Sequence, residues 1–398
     1  MTRRHDQLSG KPVARLAVLP SLAAAVLAVA LPAGPAQAGS VRAARVTDLG
    51  RGIADVINDR GQVAGHFTDR SGRGHAFLWA SGRGRRDLGG LGGGYVQVSA
   101  LNEQGQVAGW AATAGGTAHA FRWTPSGGMR DLGTLGGPDS FASAMNNRGD
   151  VVGSATVATG EQHAFVWTPS RGMRDLGAGT AQAKDINDHG QVVGALLAQS
   201  GFPSVAHLFL WSRATGLRDL GKPNVPVVDS TFSISGVVNE SGQVAGTYSN
   251  ATDAYGAFRW TRQRGFTLIA ALPGNHHGQA QSINDAGMIA GVFERTNGIH
   301  AFRWSPQRGL QDLGVVSDDW HEHGDWRVNA RGDVSGTTYN HAGPRRITAV
   351  RWTRSGGMRA LGTLGGDWSD ARALNDRGQV AGWSTTAGGE VHATLWNP

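Results

Sequence analysis

Apolar and polar residues alternate along this chain in short runs, and each run is cut off by a cluster of glycine, asparagine, serine or proline. In His119-Ala120-Phe121-Arg122-Trp123, extended geometry puts Phe121 and Trp123 on one face and Ala120 and Arg122 on the other. A period of two with aromatic residues predicts a strand. The run then comes back. Trp123 has counterparts at Trp79, Trp167, Trp211, Trp260, Trp304, Trp352 and Trp396, and successive Trp are separated by 44, 44, 44, 49, 44, 48 and 44 residues. Periods of this size mark stacked or radial repeats, and the stretch from Ala142 to Gly177 shows one whole unit.

Three landmarks recur in each unit. Asn is followed by Gly three and seven residues later, at Asn58, Asn102, Asn146, Asn187, Asn239, Asn284, Asn329 and Asn375. Asn opening a type I turn, with Gly at the left-handed position after it, predicts a hairpin with a bulge between two strands, a and b. The HAFxW run is strand c. A DLG run, its Asp eight residues after the Trp as at Asp87, Asp131, Asp175, Asp219 and Asp312, is strand d. Helical periodicity is absent, and the 61 glycines suit this many turns.

The ends complement each other. Val46 to Gly50 reads as a lone strand d, while the last unit stops at Asn397-Pro398 without one. The expected fold is therefore all-β, an eight-bladed β-propeller of four-stranded antiparallel blades, with strand 45–50 completing the last unit at 363–398. A linear β-solenoid is the alternative, but it gains nothing from complementary ends.

DLGTLGG at Asp131 to Gly137, MNNRGDVVG at Met145 to Gly153 and HAFVW at His163 to Trp167 resemble the HAF family of probable extracellular repeats of exported bacterial proteins. The resemblance runs over residues 45 to 398 and implies secretion and a repeat domain, without an established activity or catalytic residues. Departures at Gly256, at Thr348 and at His392 to Thr394 imply locally looser units.

Residues 1–38 stand outside the pattern. Arg3, Arg4, Lys11 and Arg15 precede an apolar run from Leu16 to Leu31, and Ala36-Gln37-Ala38 forms a small-residue cleavage site. This reads as a secretory signal peptide, with 39–398 as a single repeat domain, a secreted product and no membrane span after cleavage. The whole chain carries +7; the leader holds four of its Lys and Arg and one of its Asp and Glu, which leaves +4. Arginines recurring in register, such as Arg86, Arg130, Arg174, Arg218 and Arg359, are expected to spread around the molecule, so nucleic-acid binding is not expected. With no cysteine, stability rests on the core alone, without disulfides or thiolate ligands. No cofactor is implied, and a monomer is expected.

Six histidines stand four residues before the Trp, and an Asp follows five of them twelve residues on: His75 with Asp87, His119 with Asp131, His163 with Asp175, His207 with Asp219 and His300 with Asp312. His392 is served by Asp48 across the closure. Where the His is replaced, by Gly256 and Thr348, the Asp position becomes Leu268 and Ala360. Joint loss predicts structural His to Asp bonds between diagonal neighbours on strands c and d, in preference to metal ligation. Phe121, Trp123 and their equivalents are expected in the inter-blade core. Gly90 to Gly94 and Gly133 to Gly137 resemble phosphate loops but precede no helix, so they read as d-to-a links.

The a-to-b and c-to-d turns hold their length while the d-to-a and b-to-c connections vary. The variable connections share one side of the ring, where binding residues are expected. Candidate ligand-binding residues there are Asp318, Asp319, Trp320, His321, Glu322, His323 and Trp326, with His276 and His277 one unit earlier and Asp367 and Trp368 one unit later. Aromatic rings beside carboxylates suit sugar stacking with hydrogen bonds. His321 and His323 also have the spacing for a metal, and acid/base catalysis by Asp318, Asp319 or Glu322 would need two carboxyls held roughly 5 to 10 Å apart, which spacing along the chain does not show. The reading is a secreted non-enzymatic binding propeller for an extracellular glycan or protein; the alternative is a secreted polysaccharide-active hydrolase or lyase on the same scaffold.

Overall fold

The computed structural model describes residues 45–177, 179–197, 204–225, 231–250, 255–269, 277–319, 324–340 and 346–398. The expected leader at 1–38 and the candidate residues His276, Trp320, His321, Glu322 and His323 lie outside these.

Eight antiparallel sheets follow one another along the chain, and the described residues contain no helix. Blade 3 shows the plan: Gly136–Met145 (strand a), Val151–Val157 (b), Gln162–Thr168 (c) and Gly172–Asp175 (d) are hydrogen-bonded in sequence order. Blade 8 takes Gly365–Leu374, Val380–Thr386 and Val391–Asn397 from the end of the chain, and Arg45–Arg51 from its beginning. Val46 stands opposite Trp396, and Asp48 opposite Thr394. The protein is an eight-bladed β-propeller closed by its N-terminal strand. Up-and-down connectivity puts all a-to-b and c-to-d turns on one face of the ring, and the b-to-c and d-to-a connections on the other. Blade 5 departs from four strands: Ser204–Val205, part of blade 4's lengthened b-to-c connection, runs parallel to its inner strand Thr231–Val238.

The a-to-b turn explains its three fixed residues. In blade 3, Gly149 N–H donates to Asn146 O at 3.0 Å, and Asn146 N–H to Asp150 O at 3.1 Å. Asn146 Oδ1 accepts the N–H groups of Arg148 and Asp150, and Gly149 has φ 78°, a value at which a Cβ is strained. The second glycine is needed for a different reason. A Cβ on Gly153 would lie 1.9 Å from the carbonyl oxygen of Phe141 on strand a, beside the bulge between Ala142 and Ala144.

Each Asn amide also reaches the next blade. The Nδ2 of Asn58 donates to Asn102 O, that of Asn102 to Asn146 O, and so on through Asn187, Asn239, Asn284, Asn329 and Asn375, whose Nδ2 returns to Asn58 O. Eight buried bonds of 2.8 to 3.2 Å therefore close a ring around the axis. Only a side chain with both an acceptor and a donor can make the turn and the ring together.

Alternation along each strand divides the blades into two apolar faces that interlock. Ala64, Ala76 and Leu88 of blade 1 pack against Val107, Phe121 and Trp123 of blade 2. Across the closure, Leu49, Ala393 and Leu395 of blade 8 meet Val63 and Phe77 of blade 1. Phe77, Phe121, Phe165, Phe209, Phe258 and Phe302 are all fully buried, which is the inter-blade place their period of two implies.

Candidate functional site

Each DLG aspartate does two things at once. Asp131 Oδ1 accepts the N–H of Gly133 at 2.8 Å, fixing the turn out of strand d, while Oδ2 lies 2.7 Å from His119 Nδ1. The same geometry joins His75 to Asp87, His163 to Asp175, His207 to Asp219 and His300 to Asp312. His392 reaches Asp48 at 2.9 Å, so the bond spans the two ends of the chain. Burial alone would raise the Asp312 carboxyl, but hydrogen bonds from His300, the Gly314 N–H and Arg295 bring it below its ordinary value. These six pairs are spread one to each of blades 1, 2, 3, 4, 6 and 8, and each is committed to its own strands.

The candidate residues of the variable-loop face that are described lie on blades 6, 7 and 8. Trp326 is the clearest correction. It is fully buried, and its indole lies where a Cβ on Gly336 would be 2.4 Å from the ring. Blade 7 has an inner strand of only Arg327–Val328, and the Trp326 ring covers the glycine that elsewhere receives strand a backbone. It belongs to the core with Val316, Val334 and Trp352. Asp318 is exposed beyond the end of strand Gly309–Ser317, and Asp319 N–H donates to Ser317 Oγ at 3.0 Å. Asp367 and Trp368 are exposed on the inner strand of blade 8, where Trp368 N–H donates to Thr385 Oγ1 at 3.0 Å. His277 is half-buried, 3.6 Å from Glu294 and 5.6 Å between ring centroids from Tyr255.

A cleft of about 380 Å³ does open nearby, with walls from blades 5, 6 and 7. Blade 5 supplies Thr247, Tyr248 and Tyr255, blade 6 Gln279 and Gln281, and blade 7 Asp325 and Arg327. Hydrogen bonds fix the far wall: Trp326 N–H donates to Gln281 Oε1 at 2.7 Å, Arg327 to Gln281 O at 3.1 Å, and Arg327 lies 3.4 Å from Asp325. The near wall exists because of a missing side chain. Gly256 stands where six other blades carry His, and a Cβ there would be 2.1 Å from the Tyr248 ring. The departure expected to loosen blade 5 is thus filled by tyrosine, whose phenol is pushed above its ordinary pKa by burial. Blade 7, the other blade lacking the His to Asp pair, contributes the charged wall. Neither tyrosine was singled out from the sequence, although the joint loss of His and Asp in these two units marked the place.

Around the axis at the seam of blades 7, 8 and 1 lies a second polar group. Asp55 binds His66 Nδ1 at 2.6 Å and Arg372 at 3.2 Å; Asp370 accepts from Thr337 at 2.6 Å and Trp383 Nε1 at 2.9 Å, and lies 3.3 Å from Arg372. All four carboxylate oxygens have donors, so the group braces the closure. Among the described residues, no group of three or more His, Asp or Glu has the geometry to hold a metal ion, and no helix is long and apolar enough to cross a membrane.

No family model matches the chain, and no curated protein matches it in sequence. Solved structures do resemble it in fold. The β-propeller domain of the trilobed protease from Pyrococcus furiosus, which has an open velcro topology, is 9% identical, covers 81% of this chain and 96% of that one, and superposes with a TM-score of 0.52. Dipeptidyl peptidase 4 of Porphyromonas gingivalis is 12% identical over 88% of this chain and 58% of its own, with a TM-score of 0.56. A prolyl endopeptidase is 10% identical over 78% and 50%, also at 0.56. This chain spans about half the length of those two peptidases. At such identities the likeness is one of fold, and in contrast to the open velcro domain the present ring is stitched shut.

Proposed function

We propose that this protein is an exported, HAF-type binding propeller that takes a saccharide-class ligand in the cleft of blades 5 to 7. The observation that carries the reading is a coincidence of place: the cleft is bounded by the two blades that abandon the His to Asp pair. Two tyrosine rings, two glutamine amides, a carboxylate and a guanidinium supply apolar faces with donors and acceptors, the mixture that recognises a hydroxylated ring. Repeats that agree elsewhere build the scaffold, and those that differ serve the ligand. The signal-like leader and the family resemblance support export.

The enzymatic alternative needs carboxyls able to exchange protons with a substrate. The axial carboxylates Asp55 and Asp370, which do not repeat, are instead saturated by donors within the protein. A glycan array with wild type, Tyr255→Ala and Asp325→Asn tests the assignment. Binding by wild type that falls at least tenfold in both variants is expected, and release of reducing sugar from a bound polysaccharide is not. Binding indifferent to both substitutions would move the ligand elsewhere.

A further inference from the structure

The face opposite the cleft bears the a-to-b and c-to-d turns, and the repeat gathers arginines on it. Several of them are held as mortar between blades: Arg130 lies over Trp167 at 5.2 Å, Arg86 over Trp123 at 4.9 Å and Arg303 over Trp352 at 4.6 Å. In two inter-blade grooves, however, arginine stands at both facing turn positions, four residues after the Trp of one blade and two after the Trp of the next. Between blades 6 and 7 these are Arg308 and Arg354, and between blades 3 and 4 they are Arg171 and Arg213. The other gaps between described blades lack this pairing: Arg83 faces Pro125, Arg264 faces Pro306, and Thr215 faces Arg262.

Both grooves enclose real space. The first, about 460 Å³, is also lined by Arg303, Arg331 and Gln311; the second, about 340 Å³, by Arg148 and Arg174. Nearby carboxylates are already engaged, Asp333 by Arg351 at 2.8 Å and Arg331 at 3.3 Å, and Asp150 by Arg148 at 2.8 Å. No carboxylate lies within ion-pair distance of Arg171, Arg213, Arg308 or Arg354 among the described residues. Burial first, and then the like charges of Arg308 and Arg354, push the Arg303 guanidinium below its ordinary pKa, against the opposing pull of Asp333. The centre of the same face is acidic, with Asp59, Glu103, Asp285 and Asp376 around the axial mouth. A long polyanion laid across the disc would meet that ring; a compact anion seated between two blades would not.

We infer that the two grooves are equivalent sites for a multiply charged tetrahedral oxyanion, a phosphate or sulfate, either free or carried as an ester on a saccharide. Planar guanidinium forks approaching from both sides suit such a group better than point charges would. The sites are independent of the cleft on the opposite face.

Calorimetric titration with inorganic sulfate, inorganic phosphate and a sulfated disaccharide, in sodium chloride of matched ionic strength, tests this. Wild type is expected to take two equivalents of oxyanion per chain, Arg308→Gln/Arg354→Gln one, and the variant that adds Arg171→Gln/Arg213→Gln none. All four side chains are exposed, so melting in chloride alone should be unchanged, and Lys at the same positions should bind several-fold more weakly than Arg. Tighter binding of the disaccharide would assign an ester as the source, and tighter inorganic binding a free ion. Sulfate and phosphate binding that is absent, or that survives in the fourfold variant, would overturn the inference, whereas Tyr255→Ala should leave it untouched.

Discussion

The asparagine that opens every a-to-b turn shows how much one side chain can decide. Asp or Ser would serve the turn equally well, yet all eight positions are Asn, because Nδ2 must also donate to the next blade's carbonyl. Asn146→Asp should keep the turn and lose the donor to Asn187 O, lowering stability by roughly 1–3 kcal/mol in guanidinium unfolding; an unchanged midpoint would remove the ring's energetic role. The turn was legible in the sequence. The ring was not, since a donor between units 44 residues apart in the chain has no local signature, and only the refusal of Asp and Ser hinted at it. Asp185 gives a second test. Burial raises its carboxyl to about 6, against the pull of the Val238 and Ile186 N–H groups. The folded state therefore keeps its proton to higher pH than the unfolded chain does. The resulting stability is fully present below about pH 4 and is lost as pH rises through 6. Asp185→Asn, which retains an oxygen for Val238, should match wild type at pH 4 and exceed it at pH 8 by about 1–3 kcal/mol. A difference independent of pH would contradict the assignment.

Between residues and ring stands the c-to-d hairpin. His119 and Asp131 lie 2.7 Å apart, and a double-mutant cycle on them should give a coupling of about 0.5–1 kcal/mol; additive effects would refute a direct bond. These pairs could be read from the sequence because loss of one partner accompanies loss of the other at Gly256 with Leu268 and at Thr348 with Ala360. What replaced them could not, because the Tyr248 ring enters from the neighbouring strand b. Gly256→Ala should force that ring out of its seat and abolish ligand binding in the cleft while the other blades hold. Trp326 was misplaced for a related reason. Beside acidic residues in a long connection it resembles a loop aromatic, and only the truncated inner strand of blade 7 makes it the cover for Gly336.

At the scale of the whole molecule, repetition in register has a consequence that spacing along a chain conceals. Equivalent arginines do spread around the ring, but they all emerge at the same end of their strands, so the spread becomes a basic annulus on one face. The cleft lies on the other. Both assignments depend on a closed ring in which Arg45–Arg51 is the outermost strand of blade 8. Removing residues 39–51 should strip Leu49 and its cluster and cost roughly 3 kcal/mol or more. The most direct test uses the absence of native cysteine. Arg45 and Asn397 face each other at the end of the closing ladder, so an Arg45→Cys/Asn397→Cys variant should form an intramolecular disulfide on mild oxidation and unfold at higher denaturant than its reduced form. Thiols that stay free, or that link only between molecules, would show that the two ends do not meet.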